Sequence, residues 1–294
     1  MPVSNWPGYE YFYLAEKLGL TKKQGLDLQT LEFPDPQAIV HAYLRGDLQI
    51  AQLTTVEAVD ICARDRARCP VVVLVLDESR GADQLVARHE IPSIRHLRGR
   101  RVAVTPSTLG PYVLSRALER HGLRLAHVKV DSMTLDAMPD ALADGRIDAA
   151  ALFPPYSEEV LKQGSARPLF SSAEIPGEIF DILVIAPAAL RDLGPALPRL
   201  LRAWQEAHTL RRRDPEQAIP LMARREGLNP RSFQQSEQGL RYFSLDRQRA
   251  MLAPGGLLAR NLRAVQQVQA QLQLLPAGSP LPRVSQAPLL EALR

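Results

Sequence analysis

Apolar residues recur at helical spacing over Tyr9, Phe12, Tyr13, Ala15 and Leu18, which predicts an amphipathic helix from Gly8 to Leu18, stopped by Gly19. Alternation of Leu26, Leu28 and Leu31 with polar residues predicts a strand in LDLQTLEF, residues 26–33. Asp35 before Pro36 is a capping residue followed by proline at the first helical position, and Ile39, Ala42 and Tyr43 carry that helix to Gly46. Ile50 to Leu53 reads as a short strand, and Thr54 or Thr55 caps a helix bearing Val59 and Cys62. VVVLVL, residues 71–76, has no polar position, the pattern of a strand in a parallel sheet covered on both faces by helices.

DESRGAD, residues 77–83, breaks the pattern and marks a first crossing between two bodies. Beyond it come QLVAR, a turn at Ser93 to Leu97 and the strand VAVT. A helix with Leu114, Ala117, Leu118 and His121 on one face follows, closed by Gly122. The strand VKVDSM and a helix capped by Asp136 lead into LADGRIDAAALFPPY, residues 142–156. ARPLF adds a strand, and EIFDILVIAP, residues 178–187, is a long apolar strand whose start marks the return crossing. The rest is helical: Leu197, Leu200, Leu201 and Trp204 share a stripe, Asp214-Pro215 and Asn229-Pro230 open two more helices, and residues 256–272 form another. The Pro-rich tail, residues 279–294, is expected to wrap the surface before a short terminal helix.

The stretch at 142–156 has a near copy in HAYLRGDLQIAQLTTVE, residues 41–57. Gly46, Ala51 and Leu53 precede Gly145, Ala150 and Leu152 by 99 positions, and Glu57 falls where Tyr156 falls. Each copy ends a strand where a helix begins, the junction at which alternating α/β folds bind ligands. The duplication predicts two α/β lobes facing across a cleft. One comprises residues 1–80 with 182–294, the other residues 81–181.

Composition narrows the function without naming it. The chain has 294 residues, 46% apolar and 23% charged, enough for two lobes with their own cores. A net charge of +4, from 36 basic and 32 acidic residues, is too slight to indicate nucleic acid, and Arg211 to Arg213 read as a solvated helix face. No apolar run reaches the roughly 18 residues of a membrane span. The N-terminus lacks a basic region followed by an apolar one, so no signal peptide is visible. Trp6 and Pro7 come before any complete first strand, which favours a trimmed chain over a cytosolic one. Cys62 and Cys69 in one continuous helix would lie roughly 10 Å apart, so pairing requires the helix to end between them, as Pro70 allows. No further Cys or His stands near them at metal-ligand spacing. None of the six His belongs to a nucleophile or metal constellation, and G-x-S-x-G, P-loop and C-x-x-C motifs are missing. No catalytic residue, metal or cofactor is expected.

Four segments place small, aromatic or hydroxyl residues just before a helix: Trp6, Gly8 and Tyr9; Thr54 and Thr55; Ser107, Thr108, Leu109 and Gly110; and the turn ending at Tyr156. Helix-start N–H groups with hydroxyl side chains suit oxyanions, although each Ser or Thr taken singly also serves as an N-cap. Trp6, Tyr9 and Tyr156 offer flat walls, and Ser79 and Gly81 sit at the first crossing. Glu178 and Asp181 at the second crossing oppose an anion. They would accept bonds from an amine, amidine or aminopyrimidine, unless they pair with arginines such as Arg80.

WPGYEYFYLAEKLGL, the paired G-x-[IL]-[DQ]-x-A units, HLRGRRVAV followed by PSTLGPYVL, and IDAAALFPPY together resemble the solute-binding proteins of nitrate, sulfonate and taurine ABC importers. Thiamine-precursor binding proteins and thiamine-pyrimidine synthases share the pattern, but the cysteine-rich motif of those synthases is missing here. The resemblance covers about Ser4 to Leu272. It implies a type II periplasmic-binding-protein fold: two α/β lobes, two crossovers and a cleft for a small molecule. It also implies a monomer outside the cytoplasm, periplasmic or lipid-anchored, serving an ABC permease and ATPase. The solute would be a sulfonate, nitrate, a related organic anion or a thiamine-pyrimidine-like compound. A sensing module of a signalling receptor, or an enzyme like the pyrimidine synthases or menaquinone-pathway proteins of this fold, are the alternatives.

Overall fold

The helix-ending turns of the two halves of the duplication match hydrogen bond for hydrogen bond. In a computed structural model describing Met1–Arg294, Gly46 takes φ +89° and Gly145 φ +69°, a left-handed conformation that residues with a Cβ adopt only at a cost. Each ends its helix alike. Gly46 N–H donates to Tyr43 O and Asp47 N–H to Ala42 O, while Gly145 donates to Leu142 O and Arg146 to Ala141 O.

The strands are β1 Pro2–Val3, β2 Leu31–Glu32, β3 Ile50–Thr54, β4 Val71–Ser79, β5 Gln84–Arg88, β6 Arg101–Val104, β7 Lys129–Ser132, β8 Ala149–Leu152, β9 Ala166–Ser171, β10 Phe180–Ile185, β11 Leu240–Tyr242 and β12 Arg283–Val284. One sheet has the order β11-β4-β10-β3, with β12 also on β4. The other has the order β7-β6-β8-β5-β9. The chain leaves the first sheet after β4 and returns to it at β10. Every residue of β4 and β10 is buried, each Val or Leu among them contributing about 1.5–3 kcal/mol of apolar burial.

The all-apolar run does not lie in a parallel arrangement: β4 is antiparallel to β10 and β11, and parallel only to β12. Helices cover both faces as expected, but burial does not set direction, and β10 enters from the second sheet running the opposite way. LDLQTLEF pairs only at Leu31–Glu32 against β1, with Leu31 left 52% exposed, because β1 offers two residues to pair with. Asp136 is not a cap; it lies in a 3-10 turn before the Met138–Ala143 helix, whose start has no side-chain cap. Asp35, Asp214 and Asn229 cap as expected, accepting from Ala38, Gln217 and Ser232 N–H. The tail is integral, not a wrapping: β12 completes the edge of β4 and Leu289 is fully buried. Arg211 leaves the solvated face and pairs with buried Glu237.

Thr54 rather than Thr55 caps the Thr55–Arg64 helix, which ends before Cys69 and lets Cys62 bond to it. With the two cysteines seven positions apart, this cross-link stabilises by about 2.5 kcal/mol in the chain-entropy account. Reduction, or the pair Cys62→Ala/Cys69→Ala, is expected to lower the melting temperature by several degrees in circular dichroism.

Candidate ligand-binding cleft

The cleft is built from a row of polar side chains across the end of the first sheet. Asp181 on β10 stands opposite Thr54 on β3 and opposite Asp77 on β4, so three neighbouring strands present Thr54, Asp181 and Asp77 side by side. Above this row the chain enters through Trp6 to Tyr9. Trp6 Nε1–H donates to Asp77 Oδ2 at 3.3 Å, and Tyr9 O–H donates to Asp181 Oδ1 at 2.6 Å. Gly8 lies between them because nothing larger fits: a Cβ there would run into Asp77 and lie 3.0 Å from Trp6 Nε1. Gly8→Ala is therefore expected to lower stability by about 1–3 kcal/mol in thermal denaturation, through loss of the Trp6–Asp77 bond.

From the second sheet come Asp83, just before β5, Thr108 and Leu109, just before the Gly110–Glu119 helix, and Phe153, just after β8. With Trp6, Tyr9, Pro36, Thr54, Glu57 and Asp181 they line a space of about 350 Å³ that is partly open to solvent. The Trp6 and Phe153 rings meet edge to face across the gap at 5.6 Å. Gln37 Nε2 donates to Pro106 O and Arg64 Nη2 to Ser107 Oγ, bridging the two sides. An adjoining hollow of about 260 Å³ shares Asp83, Thr108, Leu109 and Phe153 and extends to Gly110 and Gln84.

The residues singled out in the sequence separate into groups. Trp6, Tyr9, Thr54, Thr108, Leu109 and Asp181 line the cleft, and Gly110 lines the adjoining hollow. Ser107 instead accepts from Arg64 and faces a third hollow beyond Glu57. Thr55 is fully buried, and Tyr156 packs edge-on against Phe153 at 6.0 Å without lining the cleft. Ser79 and Gly81 hold the crossings together: Ser172 Oγ bonds Ser79 Oγ at 2.8 Å and accepts from Gly81 N–H at 2.6 Å. Glu178 pairs not with Arg80 but with Arg116, two bonds at 2.7 and 2.8 Å, and accepts from Tyr112 O–H. Asp181 has no arginine partner. Pro36, Glu57, Asp77, Asp83 and Phe153 were not singled out.

The helix-start reading meets an obstacle at Thr54. Glu57 N–H donates to Thr54 Oγ1 and Thr54 N–H to Glu57 Oε2, so the helix's own carboxylate already occupies its positive end. Burial pushes the carboxyl groups of Glu57, Asp77 and Asp83 up to about 7, and raises Asp181 further because Asp77 faces it. No lysine, arginine or histidine lines the cleft.

Residues 6–218 match the NMT1/THI5-like family profile. The chain belongs to the NMT1/THI5-like family. A binding protein of Brucella abortus is 25% identical over 225 residues, 76% of this chain and 69% of that protein. The alkanesulfonate-binding protein SsuA of Xanthomonas axonopodis pv. citri, solved with MOPS, superposes with a TM-score of 0.77 at 17% identity, covering 98% of this chain and 96% of that one. The desulfurization enzyme DszB superposes at 0.65 with 18% identity, covering 99% and 98%. These likenesses show the fold, that of periplasmic binding proteins, which binding proteins and an enzyme share. In this NMT1/THI5-like chain no helix is long and apolar enough to cross a membrane.

Proposed function

We propose that this protein captures a small polar solute between two lobes, residues 1–80 with 182–294 and residues 81–181, with Phe180 and Asp181 of β10 paired into the first sheet, and delivers it to an ABC permease and ATPase. The observation that carries this reading is a cleft walled from both sheets, Trp6, Thr54 and Asp181 on one side, Asp83, Leu109 and Phe153 on the other. A solute touching both walls favours the closed form by its differential affinity for it. The Cys62–Cys69 disulfide supports an oxidising, extracytoplasmic compartment.

Family membership supports solute binding, and the cleft lining favours it over chemistry of the DszB kind. The lining holds no Cys, Ser or His; its hydroxyls are those of Tyr9, Thr54 and Thr108. Tyr9 is bonded to Asp181, Thr54 caps a helix, and Thr108 donates to Thr105 O. Native mass spectrometry of gently purified protein tests the reading: a retained small molecule, released on denaturation and lost in Trp6→Ala, is expected. A chain that retains nothing and binds no charged or neutral probe by calorimetry contradicts it.

A further inference from the structure

The polar side-chain atoms of the cleft lining that have no partner are all carboxyl oxygens. Asp83 and Asp181 line it with side chains almost wholly buried; Oδ2 of Asp83 has no hydrogen-bond partner, while Asp181 accepts from Tyr9 through Oδ1 and otherwise faces the carboxyl group of Asp77. Asp77 stands directly behind Asp181, also buried, with Oδ1 unpartnered. Glu57 adds a fourth carboxyl group at the rim of the same space. When ionised these groups accept and do not donate, so the ionised set is completed by N–H donors and repels an oxyanion. The nearest guanidinium groups are committed elsewhere, Arg64 to Asp60 and Ser107, Arg116 to Glu178 and Glu119.

Trp6, Tyr9 and Phe153 supply the remaining wall. Aromatic faces attract cations, Trp most strongly, and the attraction grows when water is excluded. No three of the acidic groups converge as metal ligands. The space therefore suits a flat or compact organic group.

We propose that the cleft takes a small organic cation, a protonated amine or amidine, whose N–H groups bond the carboxylates of Asp83 and Asp181 between the rings of Trp6, Tyr9 and Phe153. This rests on the solute-binding reading and assigns its ligand a charge. In the empty cleft one proton shared between Asp77 and Asp181 relieves their repulsion. The groups facing that proton are Tyr9, Glu57, Glu78, Asp83, Tyr242 and the two aspartates themselves, none of them cationic. A bound cation replaces the proton, so capture releases protons to the solvent.

Isothermal titration at pH 7, in buffers of different ionisation enthalpy, tests this with benzamidinium, benzylammonium, benzenesulfonate and benzyl alcohol. Binding of at least one cation with net proton release is expected, with benzenesulfonate inert. Asp83→Asn and Asp181→Asn, both isosteric, should each weaken the cation at least tenfold, and folding is checked by circular dichroism. Tighter binding of benzenesulfonate than of either cation, or cation binding without proton release, overturns the charge assignment and leaves solute binding standing. Failure of both cations overturns it as well. Failure of all four probes together with no retained molecule in native mass spectrometry removes the solute-binding reading itself.

Discussion

Arg225→Met is expected to lower the stability of the folded chain by about 3–5 kcal/mol, a drop of roughly 10 °C or more in melting temperature. Arg225 is the one cation in a buried acidic pocket. Its side chain, 3% exposed, pairs with fully buried Glu10 and lies 3.8 Å from Glu226. It also donates to Ser4 O at 2.8 Å, with Asn5 Oδ1 at 3.5 Å. These partners flank Trp6 to Tyr9, so one guanidinium clamps both ends of the segment that brings the aromatic wall into the cleft. Burial raises the Glu10 carboxyl to about 7 and Glu226 further, so with one arginine between two carboxyl groups a proton is already shared. Removing the arginine leaves two acids with no counter-charge, whereas the triple variant Glu10→Gln/Arg225→Met/Glu226→Gln removes all three charges together. Thermal denaturation of the single and triple variants separates loss of the pairing from loss of packing. The triple variant should recover most of the stability, because neutral replacements of a buried ionic set are close to neutral. A single variant as stable as the parent would mean that the cluster carries no such weight.

What the sequence reveals and what it hides follow from range. The duplicated turns at Gly46 and Gly145, the caps at Asp35, Asp214 and Asn229, and the burial of Trp204 depend on neighbours within a few positions, and periodicity reports them. The direction of β4 is different. It depends on β10, which starts more than a hundred residues later, and the same apolar run serves either direction. The edge strand β12 hides in a Pro-rich tail for the same reason: two residues paired to Val71 and Val72 leave no local pattern.

The cleft was half visible for a related reason. Asp181 is legible as an acidic group at the second crossing, where a carboxylate costs free energy to bury. Asp77 and Asp83 sat within the polar stretch read as a crossing, where acidic residues are unremarkable. Glu57 was hidden by its capping role, although the alignment with Tyr156 pointed at it. Only the register of β3, β10 and β4 shows that Thr54, Asp181 and Asp77 form one row. Helix-start positions bring Thr54, Thr108 and Leu109 to the cleft but not Thr55, Ser107 or Tyr156, and they do not point to its acids, which come from strand ends and from the helix's own first turn.

Asp83→Asn is expected to stabilise the empty protein at alkaline pH while weakening capture. Asp83 is buried, and burial raises its carboxyl from 3.8 to about 7. The folded chain therefore holds a proton that the unfolded chain gives up at lower pH. The stability this group contributes is fully present below 3.8 and falls as pH rises, the loss being complete once pH passes about 7. Above that, the folded state bears a buried charge costing roughly 2–4 kcal/mol. Asparagine has the same shape and no charge to bury, so the variant and the parent should melt together near pH 4 and diverge above pH 7, with the variant higher. Melting curves at pH 4, 6 and 8 in the absence of ligand read this directly. A parent that gains stability between pH 5 and 8 relative to Asp83→Asn would reverse the sign and show that Asp83 is held ionised by a partner. Under the proposed cation reading, an acid buried at the expense of the empty fold regains that free energy when a bound cation pairs with it.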